Sequence, residues 1–215
     1  MSANAGGLTL VIGSKNLSSW SLRPWLLMRR LGIPFEEVLI LLDRPETDAR
    51  IGEHSPSGFV PVLKDGGLTV WDSLAICEYL AERTPDRGAW PHDPAARAVA
   101  RAVSAEMHAG FQNLRRHLPL NCRAHIPGFA VPVEAEADIG RINDIWGDCR
   151  RRFGAGGPFL FGRFGVADAM YAPVALRFST YDVTLKGEAE AYARTLRDLP
   201  EVRQWVAAAR LEPGE

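Results

Sequence analysis

The residues with the clearest chemical potential are Asp72 and Ser73, which stand immediately before a run of apolar residues at helical spacing. Either residue can cap the helix that this run predicts. A helix N-terminus offers free backbone N–H groups and the positive end of the helix dipole, so Ser73 could hold a carboxylate there. The carboxylate of Asp72 could hold an ammonium beside it. A carboxylate and an ammonium on one carbon form the end of an amino acid, and we expect a ligand of that chemistry.

The Val60-Pro61 step lies just upstream, between a Ser-Pro-Ser-Gly turn and an apolar run. X-Pro bonds are where cis peptides occur, and a proline that opens a strand loses no needed donor. A cis bond would turn the N–H and C=O of Val60 outward, where an extended peptide can pair as an added strand. The sequence leaves the isomer open, and an ordinary hairpin followed by a capped helix is the alternative interpretation of the whole stretch.

The elements before this segment form a βαβ unit. Short β-prone runs at 8–12 and 35–42 flank a helical pattern at 21–31, which has Pro24 in its first turn and is followed by Gly32. Because a strand, a helix and a strand follow one another so closely, the two strands should be parallel.

The segment itself completes the sheet. Asp65-Gly66-Gly67 between two β-rich runs, 61–64 and 68–71, predicts a hairpin. With a short helix before the hairpin and a longer one after it, the order of elements is βαβαββα. We therefore expect an α/β domain with a mixed four-stranded sheet over residues 7–84.

The second half of the chain shows helical patterns only. Residues 84–94 contain three prolines and mark a boundary. Small residues recur at spacings of four, three and four within 94–118, which predicts one long helix. Further helical patterns follow at 134–153, 166–181, 188–196 and 201–210. We expect a linker over 85–94 and an all-helical domain over 95–215.

The composition is that of a globular protein and excludes several functions. Of 215 residues, 47% are hydrophobic and 24% are charged, and the formal net charge of −1 favours neither nucleic acid nor an anionic membrane. No apolar run approaches the roughly 20 residues of a membrane helix, and the start of the chain lacks the regions of a signal peptide. The three cysteines and five histidines show no disulfide, redox or metal-ligand spacing, so we expect no metal site and a reducing cytoplasm.

The segment from Val60-Pro61 to Asp72-Ser73-Leu74-Ala75-Ile76 resembles the glutathione-binding half of the cytosolic glutathione transferases. In that family Gln-Ser or Glu-Ser usually precedes the helix, and Asp72 is a shorter acidic variant. The order βαβαββα is the thioredoxin-like arrangement of the family, where an all-helical second domain also follows. The resemblance implies that glutathione is the cosubstrate, bound through Phe59, Val60, Asp72 and Ser73, and that the protein is a homodimer.

A further resemblance covers residues 161–178, where the family usually has a Ser or Thr three residues before an Asp. That pair forms the capping box of a buried helix. Gly165 takes the Ser or Thr position here and Asp168 the acidic position, and glycine supplies no side-chain oxygen. The match predicts that Asp168 is a folding residue.

The segment NLSSWSLR, residues 16–23, lies between the first strand and the first helix, where α/β proteins gather ligands. Its part SSWSLR resembles the motif S-S-C-S-W-R of the zeta class, which includes the maleylacetoacetate isomerases. Matching residue by residue places the catalytic serine at Ser18, with Trp20 at the Cys position and Arg23 at the Arg position. The Ser18 hydroxyl would then stabilise the thiolate of bound glutathione, because a hydrogen bond to the charged form lowers the thiol pKa.

Other interpretations of residues 16–23 stay open. The first cysteine of the chain is Cys77, which excludes a redox cysteine in this segment. Ser19 is the alternative partner of the thiol, Ser21 is expected to cap the helix, and the serines could also form a plain capping loop. We expect Arg23 to make a structural ion pair at the domain interface.

The early helices of the second domain face the electrophile in this family. Met107, Phe111 and Arg115 are four residues apart and share a face if 94–118 is one helix. Together with Trp20 they could line the electrophile pocket. The alternative is that Met107 and Phe111 belong to the core and that Arg115 is a solvated or bridging charge.

The resulting hypothesis is a transferase that adds the glutathione thiolate to a small electrophile, with a role in detoxification. A glutathione-dependent isomerase of the maleylacetoacetate type and a glutathione peroxidase use the same thiolate. A non-catalytic glutathione-binding or interaction protein is the alternative from another class, because a fold alone does not establish an activity.

Overall fold

The computed structural model describes residues 7–213. One sheet contains β1 (Leu8–Gly13), β2 (Phe35–Ile40), β3 (Val62–Asp65) and β4 (Leu68–Trp71), in the order β2-β1-β3-β4. Strand β1 pairs in parallel with β2 and antiparallel with β3, and β3 pairs antiparallel with β4. The predicted parallel βαβ unit, the hairpin and the mixed four-stranded sheet are confirmed.

Helices cover both faces of this sheet: α1 (Ser19–Arg30), α2 (Thr47–Gly52) and α3 (Ser73–Arg83). Successive side chains of a strand point to opposite faces. Leu10 and Ile12 accordingly join the main core with α1 and α3, whereas Val11 packs in a smaller cluster with Ile51 of α2. Strand β1 is buried on both faces. Residues 16–23 follow its carboxyl end and lead into α1.

The rest of the described chain is helical: α4 (Pro94–Ala109), α5 (Gln112–His117), α6 (Val133–Phe153), α7 (Val166–Thr180), α8 (Glu188–Asp198) and α9 (Pro200–Leu211). Isolated β-bridges pair Phe159 with Gly162 and Phe161 with Arg163. Helix α7 is buried along most of its length and packs against α1, α4 and α8, so it joins the sheet-containing half to the helical half.

The prediction of a single helix over 94–118 is wrong. Helix α4 ends at Ala109, Gly110 is extended, and Phe111 adopts a left-handed conformation (φ 59°) before α5 begins at Gln112. Glycine is a poor helix former, and this turn places the Phe111 side chain in the core. Met107, Phe111 and Arg115 therefore do not lie on one face of one helix.

Asp168 has the folding role that the sequence predicts. Its buried carboxylate accepts hydrogen bonds from the N–H of Gly165 (2.9 Å), the N–H of Leu160 (3.1 Å) and the hydroxyl of Tyr192 (2.9 Å). Burial raises the pKa of Asp168 to about 6, against the opposing effect of these hydrogen bonds. The carboxylate thus fixes the start of α7 to the preceding loop and to α8.

Cys77, Cys122 and Cys149 are free and buried. Burial raises the pKa of the Cys77 thiol, which disfavours the reactive thiolate. Between residues 7 and 213 no helix is long and apolar enough to cross a membrane. The same part of the chain contains no group of three or more His, Cys, Asp or Glu side chains that could hold a metal ion.

Candidate active site

A cavity of about 490 Å³ lies where the loop before β3, the starts of α1 and α3, and the end of α4 meet. Its lining residues are Trp20, Ser57, Phe59, Val60, Pro61, Trp71, Asp72, Ser73 and His108. All four residues predicted to bind glutathione are among them, together with Trp20. The cavity therefore collects groups that are far apart in the chain and combines apolar surface with a few polar groups, as small-molecule sites do.

Val60 lines this cavity and has free backbone groups. The Val60-Pro61 peptide bond is cis. Within residues 7–213 neither the N–H nor the C=O of Val60 has a hydrogen-bond partner. Phe59 beside it is 75% exposed. A free donor and a free acceptor on one residue can pair with an extended peptide.

Asp72 is the residue that caps α3. Its Oδ1 accepts hydrogen bonds from the N–H of Leu74 (2.9 Å) and Ala75 (3.1 Å), and its Oδ2 lies 3.2 Å from Nε2 of His108. The backbone of Asp72 has a positive φ of 75°, and such strained residues cluster at functional sites. The carboxylate stays partly exposed at the cavity, so it can still attract a cation.

Ser73 follows Asp72 and is only 1% exposed. Its Oγ accepts a hydrogen bond from Nη1 of Arg23 at 3.2 Å. Because a guanidinium only donates, the proton of the Ser73 hydroxyl is not used in this contact.

Arg23 lies beneath the cavity, and the predicted ion pair of this residue is wrong. Its guanidinium lies 4.1 Å from the centroid of the Trp20 ring, and no carboxylate among the described residues forms an ion pair with it. Its Nε is buried without a partner. Burial lowers the pKa of Arg23 to about 9, and the charge of Arg115 adds to this effect.

Ser18 caps α1, so the prediction that Ser21 is the cap is wrong. The Ser18 Oγ accepts a hydrogen bond from the N–H of Ser21 (3.3 Å) and donates one to the Ser21 Oγ (2.7 Å). The Ser19 Oγ accepts a hydrogen bond from Nη2 of Arg177 (3.0 Å). Both serines are buried, and neither is among the residues that line the cavity.

None of the three further residues predicted for the electrophile pocket, Met107, Phe111 and Arg115, lines this cavity. Met107 and Phe111 are buried in the main core and do not line the cavity. Arg115 donates hydrogen bonds to the carbonyl groups of Gly110 (3.1 Å) and Met107 at the end of α4. Its guanidinium also lies 4.7 Å from the centroid of the Trp20 ring, so Arg23 and Arg115 both contact this ring.

Ser57, Trp71 and His108 line the cavity without having been predicted, and His108 is the titratable residue among them; its sequence spacing suits no metal site and gives no other signal. It contacts Asp72 through Nε2 and Trp20 edge-on, with ring centroids 5.3 Å apart. Burial lowers the pKa of His108, against the opposing effect of Asp72. A neutral ring must carry its proton on Nε2 to donate to Asp72, which leaves Nδ1 as a buried acceptor without a partner.

Two sequence models of one family match the chain. The glutathione S-transferase N-terminal domain matches residues 17–83, and the glutathione S-transferase C-terminal domain matches residues 132–208. The first match contains Ser18, Val60, Asp72 and Ser73.

Two named relatives are similar to parts of the chain. A probable maleylacetoacetate isomerase of Caenorhabditis elegans is 35% identical over 96 residues, which are 45% of this chain and 44% of that protein. The maleylacetoacetate isomerase of Rattus norvegicus is 34% identical over 114 residues, 52% of each protein. The chain thus spans about half the length of these relatives.

Solved structures share the fold. A glutathione transferase homolog from Burkholderia, with bound glutathione, superposes with a TM-score of 0.71 at 22% identity, covering 95% of this chain and 99% of that one. A maleyl pyruvate isomerase, described as a bacterial zeta-class glutathione S-transferase, gives a TM-score of 0.73 at 22% identity, covering 96% and 100%. With both family models matched in order and this fold over nearly the whole chain, the protein belongs to the glutathione S-transferase family.

Proposed function

We propose that this protein is a glutathione transferase of the serine type that binds glutathione in the cavity lined by Val60, Asp72 and Ser73. The observation that carries the proposal is the convergence there of a free backbone donor and acceptor, a carboxylate and a buried hydroxyl at a helix start. These groups match the extended backbone, the ammonium and the carboxylate of a γ-glutamyl tripeptide.

Each of these residues would bind a different part of glutathione. Val60 would pair with the cysteinyl residue as an added strand, with Phe59 beside it. Ser73 would receive the γ-glutamyl carboxylate through its hydroxyl and N–H at the start of α3. Asp72 would hold the ammonium, because one carboxylate can accept several hydrogen bonds.

In the reaction, the thiol of glutathione loses its proton to solvent, and the thiolate sulfur forms a bond to the electrophilic carbon. Either the bond from that carbon to a leaving group breaks and the group departs with the electron pair, or a C=C π bond breaks and the neighbouring carbon takes up a proton from solvent. We propose that Ser18 holds the thiolate through its hydroxyl. To do so the hydroxyl must turn away from Ser21, whose Oγ keeps the hydrogen bond from the N–H of Gly13 at 3.1 Å. The loss of one hydroxyl contact is a modest cost, about 1 kcal/mol.

Ser19 remains the alternative thiol partner. Its Oγ accepts a hydrogen bond from Arg177, and its own proton has no acceptor among the described residues. We propose Trp20 as the wall of the electrophile pocket, with Arg115 stacked behind it, while Met107 and Phe111 lie in the main core.

Glutathione-dependent isomerisation is the second candidate, favoured by the names of the relatives. It would proceed through the same thiolate, which adds to a cis-enedione and is then expelled, so glutathione is not consumed. Trp20 replaces the cysteine of the zeta-class motif. Thiol consumption separates the two: a transferase consumes one thiol for each electrophile, whereas an isomerase consumes none.

The proposed assembly and location rest on the family resemblance. We propose a homodimer in the cytoplasm that acts in detoxification on a small electrophile. Light scattering on the purified protein tests the dimer, and a monomeric mass across the working range of concentration would contradict it.

The first experiment is calorimetric titration of the wild type, Ser18→Ala and Ser19→Ala with glutathione, combined with the ultraviolet absorbance of the bound thiolate at neutral pH. We expect all three proteins to bind, with the thiolate signal lost in Ser18→Ala and kept in Ser19→Ala. The reverse pattern would assign the role to Ser19. Binding without a thiolate signal in any of the three proteins would favour a glutathione-binding protein without transferase activity.

A further inference from the structure

Arg23 is a buried cation that forms no ion pair within the described part of the chain. Its side chain is 1% exposed, its Nε has no hydrogen-bond partner, and no carboxylate between residues 7 and 213 forms an ion pair with it. Buried charges are normally paired. An arginine in this state suggests that a bound anion completes its surroundings.

The groups around Arg23 leave the region positively charged. Arg115 and Arg177 act on it with the same sign, and burial lowers the pKa of Arg177 to about 10. Asp72 is the nearby carboxylate that opposes them. Its oxygens already accept the N–H groups at the start of α3 and contact His108, so it compensates Arg23 only in part.

The contact with Ser73 connects this charge to the cavity. Arg23 lies behind Ser73, and Ser73 lines the cavity. The guanidinium donates to the Ser73 Oγ, and no described group accepts the proton of the Ser73 hydroxyl. That proton is therefore available to a ligand. A donated hydrogen bond to a carboxylate is stronger when the donor is polarised by a cation behind it.

We propose that Arg23 is a positioning residue for the γ-glutamyl carboxylate of glutathione, acting through Ser73. It turns the Ser73 hydroxyl proton towards the carboxylate and supplies the positive charge that the carboxylate balances. This inference rests on the proposed binding of glutathione, and it adds a residue that does not line the cavity itself.

Trp20 holds the guanidinium in place. Its ring contacts Arg23 at 4.1 Å and Arg115 at 4.7 Å, so each guanidinium gains a cation–π contact. A planar guanidinium can lie against the ring and donate to Ser73 at the same time, whereas the compact ammonium of lysine has no planar group to hold its donors in that orientation. We therefore expect Arg23→Lys to retain the charge but not the orientation of Ser73.

The test compares glutathione with an analogue that lacks the γ-glutamyl α-carboxylate, γ-aminobutyryl-cysteinyl-glycine. Calorimetry at neutral pH measures both dissociation constants for the wild type, Arg23→Met, Ser73→Ala and the double variant. We expect Arg23→Met to weaken glutathione binding about tenfold or more, the size of one charge-assisted hydrogen bond, and to leave binding of the analogue unchanged. The double variant should lose little more than Ser73→Ala alone, because the two residues act on one carboxylate.

Arg115→Met is the matched control, because it removes the other guanidinium from the same Trp20 ring without touching Ser73. It should not discriminate between the two ligands. If Arg23→Met does not fold, Arg23→Lys takes its place, with a selective loss of glutathione affinity as the expected result. Equal losses for both ligands, or no loss, would overturn the inference.

Failure of the proposed function would give a different result from failure of the role of Arg23. If the wild type binds glutathione no better than the analogue, the role of Arg23 is refuted while glutathione binding stands. If the wild type binds neither ligand, the glutathione site itself is wrong and the inference falls with it.

Discussion

Asp72 and His108 form the contact on which the polar side of the cavity depends. Asp72 uses one oxygen to cap α3 and the other to receive Nε2 of His108, so α3 and α4 are linked across the site. The proposed ammonium of glutathione would join the same carboxylate. His108 stays neutral near neutral pH because burial, together with the charges of Arg23 and Arg115, lowers its pKa.

This lowered pKa predicts a pH dependence of stability. The ordinary pKa of a histidine is 6.5, and the pKa of His108 in the folded protein is lower. His108 therefore takes up its proton at a lower pH in the folded protein than in the unfolded chain. The unfolded state therefore binds more protons below about pH 6.5, and the free energy of unfolding falls as the pH falls. In urea unfolding without ligand at neutral pH and near pH 5, the wild type should lose stability relative to His108→Gln.

Glutamine keeps an N–H group that can reach Asp72 but does not titrate, so only the pH-dependent part should disappear. His92→Gln removes an exposed histidine and should follow the wild type. Parallel stabilities of the wild type and His108→Gln across this range would show that burial of His108 has no effect on its proton affinity.

At the scale of the elements, the break at Gly110 separates α4 from α5 and turns Phe111 into the core. A Cβ at Gly110 would lie 2.8 Å from the carbonyl oxygen of Glu106, which is backbone and cannot move away cheaply. We expect Gly110→Ala to lower the free energy of unfolding by about 1–3 kcal/mol, as measured by urea unfolding.

Gly140 provides the matched control for this substitution. It lies inside α6, and a Cβ there would meet no atom within 4 Å. Because alanine is the better helix former, Gly140→Ala should raise the free energy of unfolding by about 1 kcal/mol. Equal effects of the two substitutions would mean that the close approach at Gly110 does not constrain the fold.

Local patterns predicted most elements because their causes are local. The apolar run before Gly13, the Asp-Gly turn and the residues around Asp72 each encode their own strand, hairpin or helix start. The break at Gly110 was missed because it is stabilised by burial of Phe111, which no spacing reveals. The contact of Arg23 with Ser73, 50 positions apart, was missed for the same reason.

At the scale of the whole molecule, the end of α9 returns to the loop before Ser18. The Glu212 carboxylate accepts the N–H of Lys15 at 2.6 Å and of Asn16 at 3.1 Å, while the Trp205 indole donates to the Lys15 carbonyl at 2.8 Å. The helical half thereby holds the loop that carries the proposed serine. The domain limits at 84 and 95 stay a prediction, but these contacts couple the two halves at the site.

Loss of this contact should loosen the loop and destabilise the whole fold. Glu212→Ala leaves two backbone N–H groups without their carboxylate, and we expect the free energy of unfolding to fall by about 1–3 kcal/mol. Amide hydrogen exchange at Lys15 and Asn16 should accelerate.

Glu201→Ala is the control. It removes a different link between α9 and α1, the surface ion pair of Glu201 with Arg30 at 3.5 Å. Its cost should stay below about 1 kcal/mol, without faster exchange at Lys15 and Asn16. If both variants behave alike, the Glu212 carboxylate has no part in positioning the loop before Ser18.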